Sequence, residues 1–290
     1  MLPLYDAHNH LQDDWLAPHH PALLHELPAL GLRAAVVNGT CEADWASVAS
    51  LAQAAPWVRP SYGLHPWDAG NRSRDWQAHL RAQLAADPHA AVGEIGLDRW
   101  ILERARPDDP RLAGLRRAPF PEQIEVFTWQ LALAASENRA ASIHCLDAWG
   151  ALADLLHAVR TPLRGFLLHA YGGPPEMVRT FAECGAYFSF NGAALKDAGP
   201  AQRSRKLEAF KLVPDERLLV ETDAPAMPLP PAFRRHELPP TADGQTVNHP
   251  GNIAASYAGL AELREVDLAT LAAQVEANFL RLFGPHTAPV

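Results

Sequence analysis

The stretch LYDAHNH, residues 4–10, sets an apolar start, one carboxylate and two imidazoles side by side. In a strand, alternate side chains share a face. Asp6, His8 and His10 are therefore predicted to point the same way. Such a cluster packs poorly on a half-buried strand unless it binds something. Comparable β-type runs return at AAVVNG (34–39), RPSYGLH (59–65), AAVGEIGLD (90–98), AASIHC (140–145), GFLLHAY (165–171), AYFSFNG (186–192) and RLLVETDAP (217–225). With the first, they make eight.

Helical spacing fills the gaps between them. Trp45, Val48, Leu51 and Ala55 fall on one helix face, as do Trp76, Leu80 and Leu84. Ile124, Phe127, Leu131 and Ala135 make another stripe, and Leu268, Leu271, Val275 and Leu282 the last. Alternating strands and helices imply a parallel sheet. Eight such units predict a closed α/β fold, the (β/α)8 TIM barrel, as a single domain over residues 1–290; an open doubly wound sheet is the competing arrangement. Two longer segments, 99–122 and the proline-rich 225–252, follow strands and are expected above the barrel mouth.

Bulk properties narrow the function. The net charge of −8 argues against a broad, sequence-independent grip on nucleic acid, which needs clustered Lys and Arg. A phosphate met locally by metal ions remains compatible with it. No apolar run is long enough to span a membrane. The start of the chain shows neither a basic n-region nor an apolar h-region. Cys41, Cys145 and Cys184 are widely spaced and odd in number, which suits neither a disulfide framework nor a zinc finger. A reduced, cytoplasmic protein is the expectation.

The polar residues at the strand ends carry the chemistry. Strand 1 ends with His8 and His10, strand 3 with His65, strand 5 with His144 and strand 6 with His169. Strand 4 carries Glu94 and Asp98, and strand 8 carries Glu221 and Asp223. In a barrel all these ends converge on one mouth. His8, His10, His144 and His169, with Glu94 and Asp223, are about what two metal ions need. Two ions roughly 3.5–4 Å apart can share a carboxylate and a hydroxide able to attack a phosphorus or carbonyl centre.

With these residues assembled, the chain resembles the TatD family of metal-dependent hydrolases, within the wider amidohydrolase-like barrels. The matching pieces are DAHNHL, GLHPW, AVGEIGLD, SIH, LLHAYGG, LLVETDAP and the tail NHPGNI…ANFLRLFG, spread over about residues 4 to 284. The resemblance implies a binuclear site, with His8, His10 and Asp223 on one metal, His144 and His169 on the other, and Glu94 bridging. It gives Asp223 the further task of orienting or deprotonating the attacking water, so that Asp223 and Glu94 are the catalytic pair. His65 matches a position near the substrate phosphate. The implied activity is that of a Mg²⁺- or Mn²⁺-supported deoxyribonuclease acting on DNA ends, with Zn²⁺ often found in crystals.

The chain departs from the family around that set. Leu146 stands where an Arg is common, Ala170-Tyr171-Gly172-Gly173 follows the strand-6 His, and Arg99-Trp100 replaces a usual Tyr. Arg99 and Tyr171 are accordingly the expected substrate contacts beside His65, with the other arginines of 99–122 as further candidates. The departures bear on the substrate rather than on hydrolysis. Two alternatives follow: hydrolysis of an amide, lactone or small phosphoester, or a nucleic-acid-binding or partner subunit with weak activity in a complex.

Overall fold

Strands apolar on both faces need cover on both sides; in a barrel the connecting helices cover the outside and the strands' own side chains fill the inside. The computed structural model describes residues 2–195 and 200–285; the other positions of the chain lie outside the described residues. Its strands are β1 (Leu4–Asn9), β2 (Leu32–Asn38), β3 (Val58–Tyr62), β4 (Ala91–Asp98), β5 (Ala141–Leu146), β6 (Phe166–Leu168), β7 (Ala186–Asn191) and β8 (Leu218–Glu221). They form one parallel sheet in the order of the sequence. The helices are α1 (His20–Ala29), α2 (Trp45–Ala54), α3 (Trp76–Ala86), α4 (Trp100–Glu103), α5 (Phe120–Glu137), α6 (Trp149–Ala158), α7 (Val178–Glu183), α8 (Pro200–Leu212), α9 (Ile253–Arg264) and α10 (Leu268–Phe283). The molecule is thus the predicted (β/α)8 barrel, with α4 added after β4 and two helices, α9 and α10, following β8. Among the described residues, no helix is long and apolar enough to cross a membrane.

The seam between β1 and β8 is closed differently from the other seven junctions. At its upper end, Asp223 N–H donates to His8 C=O at 3.0 Å and His10 N–H to Ala224 C=O at 2.8 Å. Below them, the buried Asp6 carboxylate accepts from Thr222 N–H at 3.1 Å and Thr222 Oγ1–H at 2.6 Å. Lower still, the Tyr257 hydroxyl of α9 accepts from Tyr5 N–H and donates to Tyr5 C=O, each at 3.0 Å. Asp6 therefore belongs to the closure and does not join His8 and His10 as the simple alternation predicts. The reason is local: the β1–β2 register shifts between Asp6 and Asn9, which breaks the period of two. Burial pushes the Asp6 carboxyl up to about 7, against the hydrogen bonds from Asn9 and Thr222.

Helix α5 braces the mouth with two buried glutamines. Gln130 accepts from Leu64 N–H at 2.8 Å and donates to Leu64 C=O at 3.1 Å. Gln123 does the same for Asp98, at 2.8 and 3.0 Å. Backbone groups just past β3 and at the end of β4 would otherwise be buried without partners. The apolar residues of the helices face inward as their spacing predicts, with Trp45, Val48, Leu80, Leu84, Phe127, Leu131 and Val275 all buried.

Tyr257→Phe leaves a buried N–H and C=O of β1 unpaired at the seam. A loss of about 2–4 kcal/mol is expected, read from the urea midpoint at unchanged slope.

Candidate metal centre

Glu94 lies at the middle of the mouth, and its two oxygens face different partners. Oε2 stands 3.3 Å from His8 Nε2 and 3.2 Å from His10 Nε2. Oε1 stands 2.9 Å from His169 Nε2, 3.1 Å from His144 Nδ1 and 3.4 Å from His65 Nε2. Asp223 Oδ1 closes the first side, at 3.4 Å from His10 Nε2 and 3.7 Å from His8 Nε2. The groups His8–His10–Asp223, His8–Glu94–His169 and His65–Glu94–His144 each offer ligand atoms within 4.8 Å of one another. A metal–nitrogen bond of about 2.0–2.1 Å puts neighbouring ligands about 2.8–3.4 Å apart in octahedral or tetrahedral geometry. The residues present fit a metal centre by that measure.

The imidazoles are held from behind. His10 Nδ1 faces Asn38 C=O at 2.8 Å; a carbonyl only accepts, so Nδ1 carries a hydrogen and Nε2 is left toward the centre. His8 Nδ1 meets Ser142 Oγ at 2.8 Å, and the ring stacks on His169 at 4.0 Å between centroids. His169 Nδ1 is buried without a hydrogen bond, with Glu221 Oε1 3.7 Å away. His144 Nε2 faces Asp98 Oδ2 at 3.3 Å. Backing of this kind fixes ring orientation in metal sites.

The electrostatics favour positive charge at the centre. Burial opposes ionisation of Glu94, but the charge of His169 and the hydrogen bond from His10 hold it well below the usual carboxylate range. Burial also opposes charge on Asp223, and the hydrogen bond from His10 with the charge of His169 outweighs it. Burial would lower His10, His144 and His169. The surrounding carboxylates prevail, raising His10 and His169 well above the imidazole norm and His144 to about 9. His8 and His65 go the other way, driven down chiefly by burial. Anionic oxygens that hold protons on three rings are equally suited to hold divalent cations.

The structure brings together every residue expected to hold metal, though His10, His169 and Asp223 lie just beyond their strands, as does the expected substrate contact His65. His65 follows β3 by three residues, and its Nδ1 accepts from Trp67 N–H at 3.2 Å. His169 directly follows the three-residue β6. Asp223 lies past β8 with φ 53°, in the left-handed region, so the alternation of β8 does not extend to it. Glu221 instead accepts from Ser189 and from Asn191.

The expected substrate contacts fare unevenly. Tyr171 is 2% exposed, its hydroxyl donates to Pro174 C=O at 2.8 Å, and Trp149 and Phe188 pack on its ring. Its ring has no face open to a substrate, which corrects the expectation. Arg99 is half-buried with its guanidinium 4.3 Å over the Phe120 ring. The remaining arginines of 99–122 are engaged locally: Arg104 with Asp147, Arg106 with Asp108, Arg111 with Asp109, Arg116 with Glu122, and Arg117 with backbone carbonyls. Leu146, 38% exposed, puts apolar surface just beyond His144.

Asp98 is the residue whose place at the centre sequence reasoning left unassigned. Glu94 and Asp98 are four apart on β4, so the alternation applied to His8 and His10 also puts them on one face. Away from the mouth, Glu26, His236 and His249 also cluster. There His249 Nδ1 accepts from Gly251 N–H at 2.9 Å, which leaves the proton on the Nε2 that faces Glu26 and disfavours metal binding.

A (β/α)8 barrel with imidazoles and carboxylates gathered at the C-terminal ends of its strands is the architecture of a metal-dependent hydrolase. The model of the TatD-related DNase family matches residues 5–284, and the chain belongs to that family. It is 30% identical over 261 residues to the 3'-5' ssDNA/RNA exonuclease TatD of Escherichia fergusonii, covering 88% of this chain and 89% of that one. It is 26% identical to the uncharacterized metal-dependent hydrolase YabD of Bacillus subtilis, over 97% of this chain and 98% of the relative. The crystal structure of YJJV, a TatD homologue from Escherichia coli K12, superposes with a TM-score of 0.80 at 26% identity, covering 96% of this chain and 97% of that one.

Gly96 packs so closely on β5 that a Cβ there would lie 2.0 Å from the carbonyl oxygen of His144. Gly96→Ala forces β4 and β5 apart at the centre. A loss of about 3 kcal/mol or more in stability and weaker Mn²⁺ binding are expected, read by thermal melting and calorimetric titration.

Proposed function

We propose that this chain is a two-metal phosphodiesterase that trims single-stranded nucleic acid from its 3′ end. The observation that carries the reading is the division of Glu94: one oxygen faces His8 and His10, the other faces His144 and His169. In this reading His8, His10 and Asp223 hold one divalent ion, His144 and His169 hold a second, and Glu94 bridges. Mg²⁺ or Mn²⁺ are the proposed ions. Bound there, such ions supply Lewis-acid charge for the phosphate oxygens and acidify a water.

The protein's own groups do the rest. Asp223, kept ionised by His10 and His169, takes the proton of the attacking water. The oxygen of that water bonds to phosphorus as the bond to the leaving 3′ oxygen breaks. His65 lies beside Glu94 with Nε2 directed at it, at the edge where a phosphate oxygen enters. The relatives named as 3'-5' ssDNA/RNA exonucleases support the choice of substrate. The apolar rim at Leu146 favours a second reading, a small organic phosphoester.

A single-stranded oligonucleotide labelled at its 5′ end separates these. Shortening from the 3′ end with Mn²⁺ is expected, and a chemically blocked 3′ end stops it. Hydrolysis of bis(p-nitrophenyl) phosphate alone supports the second reading. Glu94→Gln and Asp223→Asn are each expected to cost about 10²-fold or more in turnover while circular dichroism stays unchanged. Full activity in Glu94→Gln sinks the proposal. Stripping the protein with chelator is expected to abolish cleavage, and Mn²⁺ to restore it.

A further inference from the structure

Asp98 is fully buried at the end of β4. Its carboxylate is ringed by donors. Trp67 Nε1–H donates to Oδ2 at 2.6 Å, and Ile101 N–H to Oδ1 at 3.0 Å. His144 Nε2 faces the same Oδ2 at 3.3 Å. An indole nitrogen and a backbone amide only donate, so the oxygens at this place act as acceptors and the imidazole nitrogen facing them carries a hydrogen. The other ring nitrogen, Nδ1, then points to the centre, 3.1 Å from Glu94 Oε1 and 3.3 Å from His169 Nε2. His10 is the reverse case: its Nδ1–H is spent on Asn38 C=O and its Nε2 faces inward.

We infer that Asp98 is a positioning residue that locks His144 in the Nε2–H form, so that His144 meets a metal ion through Nδ1. The inference rests on the proposed two-metal reading. It adds an uneven site: one ion depends on a buried carboxylate behind its imidazole, whereas His8 and His10 on the other side are backed by a hydroxyl and a carbonyl. The GLHPW motif gains a task as well. Through its indole, Trp67 holds Asp98 against His144.

Two measurements test this on the full chain. Calorimetric titration with Mn²⁺ alone is expected to show two ions in the unsubstituted protein. In Asp98→Asn, one ion is expected to bind about 10- to 100-fold more weakly while the other stays within about threefold. Trp67→Phe, which removes the indole bond and keeps the charge, is expected to give a smaller change in the same ion. Equal weakening of both ions in Asp98→Asn, or of neither, overturns the inference. The second measurement needs no change at Asp98. Nitrogen-15 NMR of the Zn²⁺-loaded protein, with His144 assigned by His144→Gln, is expected to show Nε2 protonated and Nδ1 not. A protonated Nδ1 overturns the inference even where Asp98→Asn fails to fold. Fewer than two ions in the unsubstituted protein defeats the two-metal reading, and the His144 protonation pattern then decides the role of Asp98 separately.

Discussion

Everything at the mouth depends on how β1 is joined to β8. His8 and His10 come from the start of the chain and Asp223 from near its other end, and they meet because the barrel closes. That junction is not a plain extension of the sheet. A side-chain carboxylate, a tyrosine hydroxyl and two backbone bonds share the work that a regular ladder does elsewhere. Because both backbone bonds involve residues within or next to the cluster, the closure and the geometry of the centre are one arrangement.

Charge organises the centre once it is closed. Each imbalance is met locally: Glu94 is surrounded by rings, and the rings are backed by Asp98, Glu221, Ser142 and the Asn38 carbonyl. Burying so many polar groups is costly unless nearly all are satisfied. The one orphaned ring nitrogen among them, His169 Nδ1, points toward a carboxylate slightly too far for a hydrogen bond.

Most of the fold was legible in the sequence, because buried parallel strands read as apolar runs and amphipathic helices as stripes. The order of the strands followed from alternation alone. What the runs concealed was where each strand stops. RPSYGLH reads as one strand, yet β3 ends at Tyr62, and Gly63 packs against the backbone at Glu94 where a Cβ would lie 2.7 Å from a carbonyl oxygen. That the residues expected to hold metal would gather was legible, since the barrel brings strand ends together whatever the details of register. Asp6, Tyr171 and Asp98 were misjudged or passed over for one shared reason. Their roles are set by which neighbour a side chain reaches, Thr222, Pro174 and His144 in turn, and single-sequence periodicity does not contain that.

The arginines of the 99–122 segment have a bearing on how this enzyme meets a polyanion. Each of Arg104, Arg106, Arg111 and Arg116 already has a carboxylate partner, and the whole chain is acidic. Within that segment few cations are left unpaired to displace the counterions condensed on a phosphate backbone. Under the proposed function, engagement of a nucleic acid strand would therefore be only weakly sensitive to monovalent salt, unlike that of a protein that holds its substrate along a basic groove. In that reading attraction would be concentrated at the chemical centre itself, so that a strand would be gripped where it is cut and little elsewhere.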